Sequence, residues 1–173
     1  MANKGNTPTF TEAMNAPDSA DFLKAMELEM TTLINMNTFS VIPRTSKVKV
    51  ISSVWAFKGK QFPEGSVKKL KARLYAHGFE QVEGCDYFET FSLVVQWLTV
   101  RLILVMTIIL SLENQQIDYT AAVVQAPIDT DVYIEMPHIF STPRKVWKLK
   151  NSIYGLNRVL ATIFFTLMAS LKN

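Results

Sequence analysis

Residues 54–79 read VWAFKGKQFPEGSVKKLKARLYAHGF, and this stretch decides the fold of the chain. Two arms rich in β-forming residues, 48–62 and 67–79, flank the tetrad Pro63-Glu64-Gly65-Ser66. A proline and a glycine between two such arms are typical of the turn of a β-hairpin. The sequence therefore predicts an antiparallel hairpin in the first half of the chain.

The charges of this hairpin fall at alternate positions. Because successive side chains of a strand point to opposite faces, residues two apart share a face. The cations predicted on one face are Lys58, Lys60, Lys69, Lys71 and Arg73. The residues predicted on the opposite face are Trp55, Phe57, Gly59, Leu70, Ala72 and Leu74. The alternation predicts one basic face and one apolar face.

The length and composition are those of one folded domain or of part of a larger one. The chain has 173 residues, of which 49% are hydrophobic and 19% are charged, enough apolar material for a packed core. A single cysteine, Cys85, excludes an internal disulfide framework and a cysteine-based zinc site. The two histidines, His77 and His138, are far apart in sequence, so we do not expect a His/Cys metal centre. The net charge of +3 is too small to identify a nucleic-acid binder unless the charge is clustered, as it is on the hairpin.

Helical periodicity precedes and follows the hairpin. After Pro17 and Asp18, apolar residues recur every three or four positions, which predicts a helix that ends near residues 35–37. Those residues are Phe22, Met26, Met30 and Leu33. Further helices are predicted at 98–112 and 157–171. Short strands are predicted at 115–119, 131–136 and 146–149. Together these elements predict an α+β fold.

The most apolar run, LILVMTIILSL at residues 102–112, bears on localisation. It is about half of the roughly 20 residues that span a bilayer, so a buried helix is favoured, with a membrane anchor as the alternative. The polar residues 1–10 lack the apolar stretch of a secretory signal. We therefore expect an intracellular protein without a membrane partner.

Four phrases resemble, in the same order, the reverse transcriptase of copia-type retrotransposons. They are AMELEMTTLINMNTFSVI at 25–42, the stretch from VWAFKGK to FSLVV at 54–95, QQIDYTAAVVQAPIDTDVYIEMP at 115–137 and VWKLKNSIYGL at 146–156. The resemblance implies a polar N-terminal tail at 1–11 and a reverse transcriptase-like domain at 12–173. That domain would hold a fingers-like hairpin region and an incomplete polymerase palm.

The resemblance also implies roles for individual residues. Asp118 matches the first catalytic aspartate, which holds Mg²⁺, although a solvated carboxylate at a strand end is its ordinary alternative. Lys71 and Arg73 match residues that approach the triphosphate of the incoming deoxynucleotide, where a point charge and a bidentate fork both suit phosphate. Lys58, Lys60 and Lys69 would contact the RNA or DNA template-primer. A solvated basic face is the alternative for all five cations.

The chain departs from the family pattern at three places. Val123 occupies the position of an aromatic residue under the nucleotide sugar, and Arg158 replaces a glutamine that contacts the nucleotide. The family's later Asp-Asp pair is absent from the 173 residues; Asp129 and Asp131 match a solvated turn instead. We therefore expect a truncated RNA-directed DNA polymerase without activity. The alternatives are a non-catalytic nucleic-acid-binding module that uses the basic hairpin, or a decayed transposon product without function.

Overall fold

The computed structural model describes residues 7–46, 48–61, 67–87, 95–115 and 121–159, and for residues 60, 61 and 67–69 it describes the backbone alone. The fold is α+β, as the sequence predicts. The helices are α1 (Phe10–Asn15), α2 (Ser19–Asn35), α3 (Trp97–Ile109) and α4 (Ala122–Gln125). The strands are β1 (Phe39–Pro43), β2 (Val50–Ile51), β3 (Ser53–Gln61), β4 (Val67–Ala76), β5 (Tyr133–Ile134) and β6 (Lys145–Leu149).

Local signals set the bounds of the first two helices. Thr9 caps α1 by accepting a hydrogen bond from the Glu12 backbone, while the Glu12 carboxylate accepts one from the Thr9 backbone. Helix α1 thus begins two residues before the predicted boundary between tail and domain. Helix α2 buries the predicted stripe of Phe22, Met26, Met30 and Leu33, and the chain leaves it at Asn37, whose φ of 50° is left-handed.

Strands β3 and β4 form the predicted antiparallel hairpin. The pairing is regular from Ser53 opposite Ala76 as far as Lys60 opposite Lys69, and it shifts by one residue at Gln61. The predicted apolar face is buried, since Trp55, Phe57, Ala72 and Leu74 are at most 6% exposed. This face packs into the core. The charged positions Lys58, Lys71 and Arg73 lie on the opposite face.

The remaining strands form a four-stranded sheet in the order β1-β6-β5-β2. Its pairs are antiparallel except β2 with β5, which is parallel. The predicted strands at 131–136 and 146–149 are confirmed, the first in shortened form. The first hairpin arm is divided, because β2 belongs to this sheet while β3 starts the hairpin after Ser52.

One hydrophobic core joins both sheets to α1 and α2. Side chains from α2, the hairpin and the four-stranded sheet meet in it: Met26, Leu33, Leu74, Ile134 and Trp147 are all at most 2% exposed. Phe39 stacks on Trp147 with ring centroids 3.7 Å apart. Because α2 lies against β4, residues that are distant in sequence become neighbours at this contact.

Helix α3 is confirmed as a helix, but the prediction that it is buried is wrong. Trp97 is 67% exposed and Ile108 is 79% exposed, whereas Thr107 is the buried residue of the helix. A helix that is apolar on all sides needs cover on all sides, and the described part of the chain supplies it only around Thr107. No described helix is both long and apolar enough to cross a membrane.

Two further predictions fall largely outside the described residues. The strand predicted at 115–119 is one, since only Gln115 of that range is described. The helix predicted at 157–171 is the other. Asn157 and Arg158 form a turn and residue 159 is helical, and the rest of that range is outside.

Candidate functional site

The cations of the hairpin are brought together by the strand register. Lys58 lies directly opposite Lys71, and Ala56 lies opposite Arg73. Lys60 lies opposite Lys69 in the backbone register, so the predicted basic positions of the two strands are paired with one another. Like charges placed directly opposite each other on a sheet destabilise it. A face built in this way is therefore suited to an anion that offsets the repulsion.

Arg73 has two partners that come from outside the hairpin. Its guanidinium donates to the Glu29 carboxylate of α2 at 2.6 Å, and it lies over the ring of Tyr154, 5.4 Å from the centroid. The Glu29 side chain is 5% exposed, whereas that of Arg73 is 39% exposed. The carboxylate is thus the buried end of the pair and the guanidinium is the end that solvent reaches.

The burial of this pair perturbs both titrations. Burial raises the pKa of the Glu29 carboxyl, and the attraction of Arg73 offsets only part of that rise. For Arg73, burial by itself lowers the pKa, but the Glu29 carboxylate and Tyr154 together raise it above its usual value. Arg73 therefore stays charged, and Glu29 is the member of the pair that responds to pH.

A cavity of about 230 Å³ opens beside this pair, between α2 and β4. Its charged lining residues are Glu29, Lys71 and Arg73, and Tyr154 closes one side. The remaining lining residues are Ala25, Leu28, Thr32, Leu70, Ala72, Ala121 and Val124. A half-buried Lys71 and a half-buried Arg73 at one concave site give it the chemistry of a phosphate-binding pocket.

Tyr154 is held at the cavity by a tight joint between β4 and the segment 151–157. Tyr154 accepts a backbone hydrogen bond from Ala76 at 2.8 Å, and its ring lies 5.5 Å from that of Tyr75. On the other side of Gly155, the side-chain amide nitrogen of Asn157 donates to the carbonyl of Gly78 at 2.9 Å. The Tyr-Gly-Leu phrase therefore joins the hairpin to the four-stranded sheet.

The other predicted contact residues lie elsewhere. Val123 is half-buried and packs against the hydrophobic core, while its neighbour Val124 lines the cavity. Arg158 forms an ion pair with Asp129 beside a separate cavity of about 20 Å³. The structure thus brings Lys71 and Arg73 together and places Arg158 at a different site.

The predicted metal ligand, Asp118, lies outside the described residues. Within the described ranges, no group of three or more Asp, Glu, His or Cys side chains is placed to hold a metal ion. Asp131 is exposed and pairs with Lys148 at 2.7 Å; the hydrogen bond from Lys148 lowers its pKa. Asp129 and Asp131 are both exposed, as the sequence predicts, and each pairs with a cation: Asp129 with Arg158 and Asp131 with Lys148.

Sequence reasoning missed Glu29 and Tyr154. A signal for Glu29 was present, because it follows Met26 by three positions and precedes Leu33 by four, within the stripe predicted to be core. A carboxylate in an apolar stripe requires a partner, since an unpaired buried charge is costly. The partner, 44 residues away, could not be read from the pattern.

Comparison with known proteins shows the family of the chain. The profile of the reverse transcriptase (RNA-dependent DNA polymerase) family matches residues 36–173. The chain is 33% identical, over 85% of its length, to the retrovirus-related Pol polyprotein from transposon TNT 1-94 of Nicotiana tabacum. It is also 33% identical, over 84% of its length, to that from transposon RE1 of Arabidopsis thaliana.

The matched region is a small part of these relatives. The chain spans 11% of the tobacco polyprotein and 10% of the Arabidopsis one. An uncharacterized mitochondrial protein of Arabidopsis thaliana is 38% identical over 47% of this chain and 48% of its own length. No solved structure matches the chain at a significant level. From the profile and the polyproteins, the chain belongs to the reverse transcriptase (RNA-dependent DNA polymerase) family of copia-type retrotransposons.

Proposed function

We propose that this chain supplies the fingers-like part and the beginning of the palm of a copia-type reverse transcriptase. In this role the basic face of the hairpin binds the template-primer and the incoming deoxynucleotide. The observation that carries the proposal is the register of β3 and β4, which sets Lys58 against Lys71 and places Arg73 at the cavity. Apposed cations weaken a sheet, and phosphate offsets that repulsion.

The roles divide according to position. Lys71 and Arg73 line the cavity and would hold the triphosphate, the arginine by two parallel hydrogen bonds and the lysine as a point charge. Lys58 is exposed on the neighbouring strand and, with Lys60 and Lys69, would contact the nucleic-acid backbone. Asp118 would bind Mg²⁺ together with carboxylates that are not among these 173 residues.

A second function is favoured by the sequence itself. Because these 173 residues contain no adjacent pair of aspartates, the chain by itself would bind nucleic acid without extending a primer. Binding to the phosphate backbone needs clustered cations alone and carries no sequence preference. Both proposals use the same basic face. They differ in whether the bound primer is extended.

The test is a salt titration of binding to a labelled single strand and to an RNA–DNA hybrid. In the variant Lys58→Ala/Lys71→Ala/Arg73→Ala, we expect weaker binding and a salt slope smaller by about one for each lost phosphate contact. The control is Lys24→Ala/Arg144→Ala/Lys145→Ala, which removes the same charge from exposed residues off the hairpin. Equal slopes for the two triple variants would place binding outside the hairpin and refute the proposal.

A further inference from the structure

The Glu29 carboxylate occupies a position that an apolar residue would ordinarily fill. It lies on the core-facing stripe of α2, between Met26 and Leu33, which are at most 1% exposed. A buried carboxylate without a partner would be strongly destabilising, and even a paired one gives little net stability. Stability is therefore a weak reason for an acid at this position, so its effect on Arg73 needs to be considered.

The geometry separates an anchored side of the arginine from an accessible side. Glu29 accepts from one terminal nitrogen of the guanidinium at 2.6 Å, and the Tyr154 ring lies 5.4 Å from its central carbon. A guanidinium has five N–H donors in a rigid plane. When one terminal nitrogen is fixed and one face is covered, the direction in which the remaining donors point is also fixed.

We propose that Glu29 is a positioning residue for phosphate recognition, which fixes the Arg73 guanidinium at the cavity wall so that its outward donors meet phosphate oxygens. This proposal rests on the proposed function of the same cavity. An unanchored arginine would lose side-chain freedom when it bound phosphate, and the anchor removes part of that loss before binding. The Glu29 charge also repels the incoming anion. Glu29 therefore strengthens binding by anchoring Arg73 and weakens it by its charge.

Two neutral replacements separate the anchor from the charge. Glu29→Gln retains an oxygen that accepts from Arg73, whereas Glu29→Met has similar size, no strong acceptor and an apolar character that suits the stripe. Both remove the same charge. The probe is inorganic tripolyphosphate without metal, titrated calorimetrically at constant ionic strength into the 173-residue chain and its variants.

The expected result is that Glu29→Gln binds tripolyphosphate about five-fold more tightly than Glu29→Met, the effect of one retained hydrogen bond. The difference should disappear when both replacements are made together with Arg73→Ala. The control is the exposed Glu27, two positions away on α2, where Gln and Met replacements should bind equally. Equal affinities for the two Glu29 variants, or a difference that persists without Arg73, would overturn the positioning role.

The same titrations separate this proposal from the proposed function. If Arg73→Ala weakens binding while the two Glu29 variants are equal, the cavity binds phosphate and Glu29 does not position Arg73. If Arg73→Ala leaves the affinity unchanged, the phosphate role of Arg73 fails, and with it this inference.

A measurement on the unmutated chain is independent of how the variants fold. The titratable groups that line the cavity together with Glu29 are Arg73 and Lys71 of β4 and Tyr154 of the segment 151–157, and Arg73 is the one that interacts directly with Glu29. Bound tripolyphosphate adds negative charge and shares Arg73, so we expect the pKa of Glu29, followed by carboxylate ¹³C NMR, to rise when the anion binds. An unchanged pKa under saturating anion would contradict the shared contact.

Discussion

Gly78 and Gly155 meet with no room for a side chain between them: a Cβ atom built on Gly78 would lie 2.1 Å from the carbonyl oxygen of Gly155. Gly155 itself has a φ of 90°, and its own Cβ would lie 2.2 Å from the carbonyl oxygen of Ala76. Both obstructing atoms belong to the backbone and cannot move aside as a flexible side chain would. This joint sets how closely the segment 151–157 approaches the end of β4, and Tyr154, the neighbour of Gly155, lines the cavity.

The first prediction compares two left-handed glycines. Gly84→Ala introduces a side chain at a φ of 80° with nothing within 4 Å, so it should cost about 1–2 kcal/mol of unfolding free energy from backbone strain alone. Gly155→Ala adds the collision with Ala76 to similar strain and should cost clearly more. Urea unfolding of both variants measures the difference. Equal losses would show that the joint relaxes easily.

The second prediction concerns the apposed lysines. Lys58 and Lys71 are a like-charged pair across the two strands, and Lys58→Glu makes it an oppositely charged pair. The hairpin should therefore gain about 0.2–1 kcal/mol of stability. The same change should weaken binding to nucleic acid. Thermal unfolding and binding anisotropy check the two parts. Lys145→Glu, an equal charge change at an exposed position of β6, is the control and should reproduce neither effect to the same extent.

The third prediction is that the contribution of Asp86 to the free energy of unfolding depends on pH. Burial by itself would raise the pKa of Asp86, but hydrogen bonds from Lys49 at 2.8 Å and from the Val82 backbone at 2.7 Å hold it below its usual value. A depressed carboxyl pKa contributes stability above the unfolded pKa of about 3.9, and this contribution is lost as the pH falls through the folded pKa. Asp86 should therefore stabilise the protein at neutral pH and not at acidic pH.

Replacing the Asp86 carboxylate tests the direction of this pH dependence. Asp86→Asn should lower the unfolding free energy at neutral pH by about 1–3 kcal/mol, and the gap to the unmutated chain should close below about pH 4. Denaturant titrations at several pH values measure it. Asp21→Asn removes an exposed pair with Lys24 and should cost less than about 1 kcal/mol. A gap for Asp86→Asn that is constant with pH would refute the assignment.

The fourth prediction tests the exposure of α3. Ile108 is 79% exposed and its neighbour Thr107 is 9% exposed, so lysine at the two positions should have opposite consequences. Ile108→Lys should leave the melting temperature nearly unchanged and reduce self-association, because it interrupts an exposed apolar patch. Thr107→Lys should lower the melting temperature by burying a charge. Light scattering and thermal unfolding follow both, and a large loss for Ile108→Lys would mean that this face is covered.

The fifth prediction is that the 173-residue chain does not extend a primer on an RNA template with either Mg²⁺ or Mn²⁺. One aspartate from the expected set cannot hold two metal ions in the geometry of phosphoryl transfer. A primer-extension gel measures incorporation, with an intact copia-type polymerase as the positive control. Template-dependent synthesis that disappears in Asp118→Asn would contradict this expectation and restore a catalytic role to the chain.

The sequence by itself was sufficient wherever contacts are local. The spacing of Phe22, Met26, Met30 and Leu33 predicted the buried face of α2, and the alternation of Lys71 and Arg73 with apolar residues predicted both faces of β4. These predictions succeed because helical and strand periodicity depend on neighbouring residues along the chain. The order of four phrases likewise identified the family before any contact was known.

Only the tertiary structure decided which distant residues meet. It paired Glu29 with Arg73 across 44 positions, placed Tyr154 over the guanidinium and set β2 parallel to β5. It also left α3 exposed, although its composition resembles that of a buried helix. Periodicity shows which face of an element is apolar, but it does not show which other element covers that face. The packing of α2 on β4 settles that choice, and it makes a cavity from residues that separately look like a core helix and a charged strand.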